Sequence, residues 1–164
     1  MTPKNPDPNL ELTTTKGITR TLDDWSTMFH LVLVVLPDRP EASAWVPVAR
    51  RIFRTFRDAD CHTAYVVTGP AVVADRILGE SEQDVLTFID PDLELVTSLG
   101  LERVPAFVHL RQDTTLAACA EGWDRVEWQR VAREVGHAMA WTVPEVFGPG
   151  DPPRTPGWPA QRVA

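Results

Sequence analysis

The sequence predicts an α/β domain: a central mixed β-sheet covered by helices on both faces, with proline-rich extended tails. Three observations carry that prediction. Residues 31–36 (LVLVVL) form an unbroken apolar run, which is what a strand buried on both faces requires. After that run the apolar positions switch repeatedly between helical spacing and short strand-like blocks. Prolines crowd the two ends, at Pro3, Pro6 and Pro8 and again at Pro149, Pro152, Pro153, Pro156 and Pro159.

Taken in order, residues 1–14 read as a flexible segment, because three prolines remove backbone donors and few apolar residues offer a buried face. The domain is expected over 15–146. Residues 31–36 supply its middle strand. Beyond Pro37, the residues Trp45, Val48, Ala49, Ile52, Phe53 and Phe56 recur every three or four positions and predict one long amphipathic helix. Strands are predicted at 63–68 and 85–89, each followed by a helix, at 71–78 and 93–99. Residues 106–110 and 116–120 flank a polar turn and read as a hairpin. A helix over 124–141, capped by Asp124, closes the domain, with Trp128, Val131, Val135, Ala138 and Met139 as its apolar stripe. Residues 147–164 read as a loose Pro/Gly-rich tail. Trp158 is taken as part of that tail, with anchoring back onto the domain as the alternative.

A chain of 164 residues fits one domain, since domains usually span roughly 100–200 residues. The net charge of −7 argues against nucleic acid as a partner, because non-specific binding needs clustered Lys and Arg to neutralise phosphates. No apolar run approaches the roughly 20 residues of a membrane-spanning helix, and the first nine residues lack the apolar stretch of a secretory signal. A cytoplasmic protein without membrane insertion is expected. Cys61 and Cys119 lie far apart and match neither a metal nor a C-x-x-C spacing, so they read as reduced structural thiols. His30, His62, His109 and His137 show no ligand spacing, and no phosphate-binding glycine loop, nucleophile elbow or dinucleotide fingerprint occurs. Neither metal nor cofactor is expected.

Three features, in this order over residues 17–141, resemble the thioredoxin-like superfamily. A central strand enters a helix through a proline-containing turn, with Pro47 in the place of a family proline. Val104-Pro105 stands immediately before a strand, within Gly100-Leu101-Glu102-Arg103-Val104-Pro105-Ala106-Phe107, and is similar to the family's cis-proline loop. A hairpin, Gly122 and an amphipathic helix then close the chain. Asp90-Pro91-Asp92 followed by Leu99-Gly100-Leu101 is similar to pieces of TlpA-type oxidoreductases and peroxiredoxins, which carry an extra helix and strand at this point.

The resemblance places Arg39-Pro40-Glu41-Ala42 where a reductase has Cys-x-x-Cys, and Leu33 where thioredoxins keep a buried acid. Dithiol exchange needs a nucleophilic thiolate and a resolving thiol. Neither sulfur is present at the tip, and Pro40-Glu41-Ala42-Ser43 lacks the peroxiredoxin threonine and cysteine as well. The resemblance therefore implies a redox-inactive relative that binds a protein partner, as an adapter or scaffold and not as an enzyme. The implied contact residues are Arg39, Pro40, Glu41 and Ala42 at the tip and Val104 and Pro105 at the loop, where the family receives extended peptides. One alternative is a glutathione-binding or single-thiol peroxide-handling enzyme using Cys119. A second is an assembly subunit, self-associating or meeting an acidic partner through a stripe of Arg50, Arg54 and Arg57 with Arg51 beside it.

Overall fold

The computed structural model describes residues 2–161. Seven strands form one mixed sheet in the order β2-β1-β5-β4-β3-β7-β8. They are β1 (Glu11–Thr14), β2 (Thr19–Thr21), β3 (His30–Leu36), β4 (Cys61–Val67), β5 (Thr87–Ile89), β7 (Ala106–Leu110) and β8 (Leu116–Glu121). A two-residue strand β6 (Arg103–Val104) precedes β7 and pairs outside this sheet with β9 (Trp158–Pro159). β3 runs parallel to β4, and β4 to β5, while β7 and β8 return antiparallel on the other side of β3.

β3 is central because every second side chain has a core to enter. Leu31, Leu33 and Val35 face one apolar cluster, and Val32, Val34 and Leu36 face the other. Helices α2 (Val46–Phe56), α3 (Ala71–Leu78) and α5 (Arg125–Ala138) cover the second face. The first is covered by α1 (Leu22–Ser26) and α4 (Glu94–Leu99). The mixed sheet with helices on both faces is as the sequence predicts.

Several boundaries differ, each for a local reason. The helix after Pro37 is broken: the chain makes a 3-10 turn over Pro40–Trp45 and then α2. Pro47 lies in the first turn of α2, where its missing N–H has no carbonyl to serve. The predicted strands at 63–68 and 85–89 are β4 and β5, shifted or shortened by two residues. α4 starts at Glu94 because Asp90, buried in the preceding turn, accepts the N–H groups of Leu95 and Val96, both at 3.1 Å. α5 is capped as predicted, with the Asp124 carboxylate accepting the Val126 N–H at 2.9 Å. It stops at Ala138, where the chain turns through Ala140 at φ 51° and returns the Trp141 N–H to the Gly136 carbonyl at 2.8 Å. Ala138 is consequently exposed and Met139 only half-buried.

Neither tail is loose among the described residues. The boundary expected at residue 15 falls inside the sheet, since β1 pairs with both β2 and β5 and Leu12 is buried. Ahead of β1, Lys4 donates its N–H to the Leu99 carbonyl, Asp7 to the Ser98 hydroxyl, and Asn5 accepts from Leu116. The expectation of a loose tail over 147–164 also fails for its described part. Val146 and Phe147 sit in the core, Thr155 bridges Trp123, and Trp158 and Pro159 form β9. Prolines remove only their own donors, and these segments are fixed through the N–H groups of the residues between them as well as through carbonyls and side chains.

Candidate peptide-binding groove

Three segments meet at the end of the sheet where β3 terminates. The first is the tip. Pro37 is buried at the exit from β3, Arg39 is extended (φ −162°, ψ 153°), and the Ala42 N–H returns to the Arg39 carbonyl at 3.1 Å to open the 3-10 turn. Arg39, Pro40 and Glu41 are exposed, with Arg39 and Glu41 paired at 3.4 Å. Ala42 is fully enclosed in the core and offers no surface to a partner.

The second segment is the loop through β6. Val104–Pro105 is a cis peptide. Glu121, on β8, accepts the N–H groups of Glu102 and Arg103 at 2.5 and 3.2 Å and so pins the loop from beneath. Burial raises the Glu121 carboxyl above the usual carboxylate range, opposed by the hydrogen bond from Arg103. Val104 and Pro105, implied by the resemblance as contact residues, are both buried here and not open to the surface.

What covers them is the third segment, the chain's own tail. β9 lies antiparallel on β6, with Arg103 opposite Pro159 and Val104 opposite Trp158. Ala160 donates its N–H to the Glu102 carbonyl at 2.8 Å. The Arg103 guanidinium donates to the carbonyls of Pro156 and Gly157 at 3.1 and 2.9 Å. Trp158 reaches across to the tip: its ring meets Trp45 edge-on, centroids 5.8 Å apart, and the Arg39 guanidinium lies 4.7 Å from its centroid. The predicted tip and loop are thus brought together through Trp158. Residues 158–161 and the tip, with Pro37, Asp38, Thr68 and Leu93, line an open cleft of about 270 Å3.

Upstream anchors hold the tail in place. Trp123 donates its indole N–H to the Pro152 carbonyl at 2.7 Å and exchanges backbone hydrogen bonds with Thr155. Arg51 pairs with Asp151. Gly122 is required here, because a Cβ on it would stand 2.9 Å from the Pro156 carbonyl oxygen. The sequence marked Trp158 with anchoring onto the domain as the alternative, and the structure has it anchored; Arg103 and Gly157 were not singled out. The available signal was a lone aromatic after Pro-Gly, beside a loop already marked as a peptide receiver.

The remaining candidates are dispersed. Cys61 opens β4 and Cys119 lies on β8, with β3 and β7 between them. Burial pushes the Cys61 thiol up to about 11, helped by Asp60, and burial with Glu121 pushes Cys119 up to about 12. Neither is a thiolate near neutral pH. The arginine stripe is divided: Arg50 is committed to the buried Glu82 at 2.6 Å and Arg51 to the tail, leaving Arg54 and Arg57 exposed. The histidines do contain a pair, His30 Nδ1 lying 2.8 Å from His109 Nε2. Among the described residues no three His, Cys, Asp or Glu side chains are arranged to hold a metal, and no helix is long and apolar enough to cross a membrane.

No protein-family model matches the sequence, and no curated protein matches it either. Among solved structures the chain is similar to a putative thiol:disulfide interchange protein DsbE from Chlorobium tepidum, at 12% identity over 85% of this chain and 99% of that one, with a TM-score of 0.69. It is similar to peroxiredoxin Q of Xanthomonas campestris at 16% identity over 81% and 90%, TM-score 0.62. The exposed lipoprotein thioredoxin of Streptococcus pneumoniae matches at 19% identity over 76% and 97%, TM-score 0.59. The fold is thioredoxin-like, as the cis-proline loop and closing hairpin imply.

Proposed function

We propose that this thioredoxin-like chain is a redox-inactive binding module that takes an extended segment of a protein partner into the groove between Arg39 and β6. One observation carries the reading. The β6 backbone and the Arg103 side chain together hold the tail around the two-residue strand β9, through the carbonyls of Pro156 and Gly157 and the N–H of Ala160. A main-chain-reading groove of this kind is the chemistry of β-strand addition, in which the receiving edge supplies affinity and side-chain slots supply selectivity.

Redox inactivity is supported by Arg39 and Ala42 standing where a C-x-x-C pair would be, and by two separated thiols that burial keeps protonated. The same burial weighs against the peroxide-handling alternative, whose thiol would be Cys119. Two free, unpaired thiols also suit a reducing cytoplasm.

The test is peptide display against the full chain carrying Gly157→Val, a substitution chosen to expel the tail from the groove. Extended peptides should be enriched, and adding Arg103→Ala should weaken them by about tenfold, the scale of one charge-assisted contact. Absence of enrichment, or binding indifferent to Arg103, overturns the groove. Insulin reduction or peroxide consumption that disappears with Cys61→Ala or Cys119→Ala overturns the inactivity.

A further inference from the structure

The tail is more than a cover, because three of the four residues 157–160 each meet a distinct demand. Gly157 has φ +73°, and a Cβ on it would overlap the Val104 carbonyl oxygen and stand 3.1 Å from Pro105 Cδ. Only glycine meets both conditions. Trp158 lies in a slot between Trp45 and the Arg39 guanidinium, a cation–π arrangement that selects an aromatic ring. Pro159 is exposed, so any side chain is accepted there. Ala160 is 4% exposed, packs with the apolar cluster of α4 and donates its N–H to Glu102. Arg103 reads the carbonyls of Pro156 and Gly157, just ahead of the strand.

From these demands we infer that the groove's ligand class is a segment of the pattern Gly–aromatic–any–apolar that turns at its glycine into a short strand, and that the chain's own residues 157–160 are a tethered copy of that ligand which a partner must displace. The inference rests on the groove being a partner site, and it adds the partner's chemistry and the competition that regulates it. A tethered segment competes at an effective concentration on the order of millimolar, so a free segment of moderate affinity is held off until it binds better than the tail does. The tail leaves room for that. A cleft of about 270 Å3 beside Gln161 is unfilled by the side chains of the described residues, and a partner with a longer side chain at that position gains contacts the tail lacks.

The experiment is fluorescence anisotropy with a labelled peptide of residues 154–161 (RTPGWPAQ), titrated with wild-type chain and with the full chain carrying Gly157→Val. The Gly157→Val chain should bind the peptide about tenfold more tightly than wild type, the factor by which a millimolar tether outcompetes a ligand of roughly 0.1 mM affinity. Replacing the peptide's glycine by valine, or its tryptophan by alanine, should weaken binding by about tenfold or more. A Trp158→Ala chain, checked by circular dichroism, gives the same comparison without altering the backbone at 157. If neither opened chain binds this peptide while Gly157→Val still enriches other peptides, the groove reading stands and the template inference falls. If wild type and opened chains bind the peptide equally, the tail is no competitor and the inference also falls.

Discussion

His109 shows how much a single buried side chain can hide from a linear reading. Its partner His30 is 79 residues away, and the pair exists because β3 and β7 run antiparallel with Val32 opposite His109. No spacing rule covers such a pair. Burial, then the nearby His30 and Arg111, hold the His109 imidazole down to about 4. The unfolded chain keeps the ordinary value of about 6.5. Between those values the unfolded state takes up a proton that the folded state refuses, so stability falls as pH drops from about 6.5 to about 4 and levels off below. The loss amounts to about 3 kcal/mol over that window. Urea midpoints measured at pH 7.5 and 4.5 should show this slope in the wild type and a clearly smaller one in His109→Gln; equal slopes would place the acid sensitivity elsewhere.

Strands β3, β4, β7 and β8 were legible because each carries a run of apolar residues long enough to outweigh its neighbours. β1 was not. Its four residues, Glu-Leu-Thr-Thr, hold one apolar side chain and follow a proline-dense stretch, so composition spoke for disorder. The sheet overrides composition by offering β1 the open edge of β5 and a place for Leu12 beside Phe88 in the same buried cluster. Leu12→Ala should therefore cost about 2–4 kcal/mol, as other buried leucine truncations do. A loss below about 1 kcal/mol in denaturant unfolding would mean that β1 contributes little to the domain. The end of α5 escaped for a related reason: Trp141 is apolar and in phase, yet its indole N–H serves the Thr55 carbonyl at 2.8 Å from outside the helix.

Across the domain, the fold followed from residue pattern while the occupied groove did not. Arg39 and the Val104-Pro105 loop were both marked in the sequence. What joins them is Trp158, roughly fifty residues beyond the loop and in a segment with no periodicity to read. Tertiary contacts made by irregular chain leave almost no linear trace. The Asp90 turn was the opposite case: its D-P-D sequence was visible, and the structure supplies the reason in two hydrogen bonds to the start of α4.

The position of Trp158 bears on how far a thiol placed at the tip could be reached from outside. Writing cysteines at Arg39 and Ala42 would supply the letters of a reductase and not its reach. Residue 42 has no exposed surface, and residue 39 stands against a tryptophan that the chain itself supplies. An Arg39→Cys, Ala42→Cys chain should reduce insulin only slowly, and adding Gly157→Val should speed it by about tenfold, since thiol exchange depends on access as well as on thiolate. Equal rates in the two chains would show that the shield is transparent. The strap thus acts as a latch over the tip, so that access there is set by the chain's own tail and not by the tip residues alone.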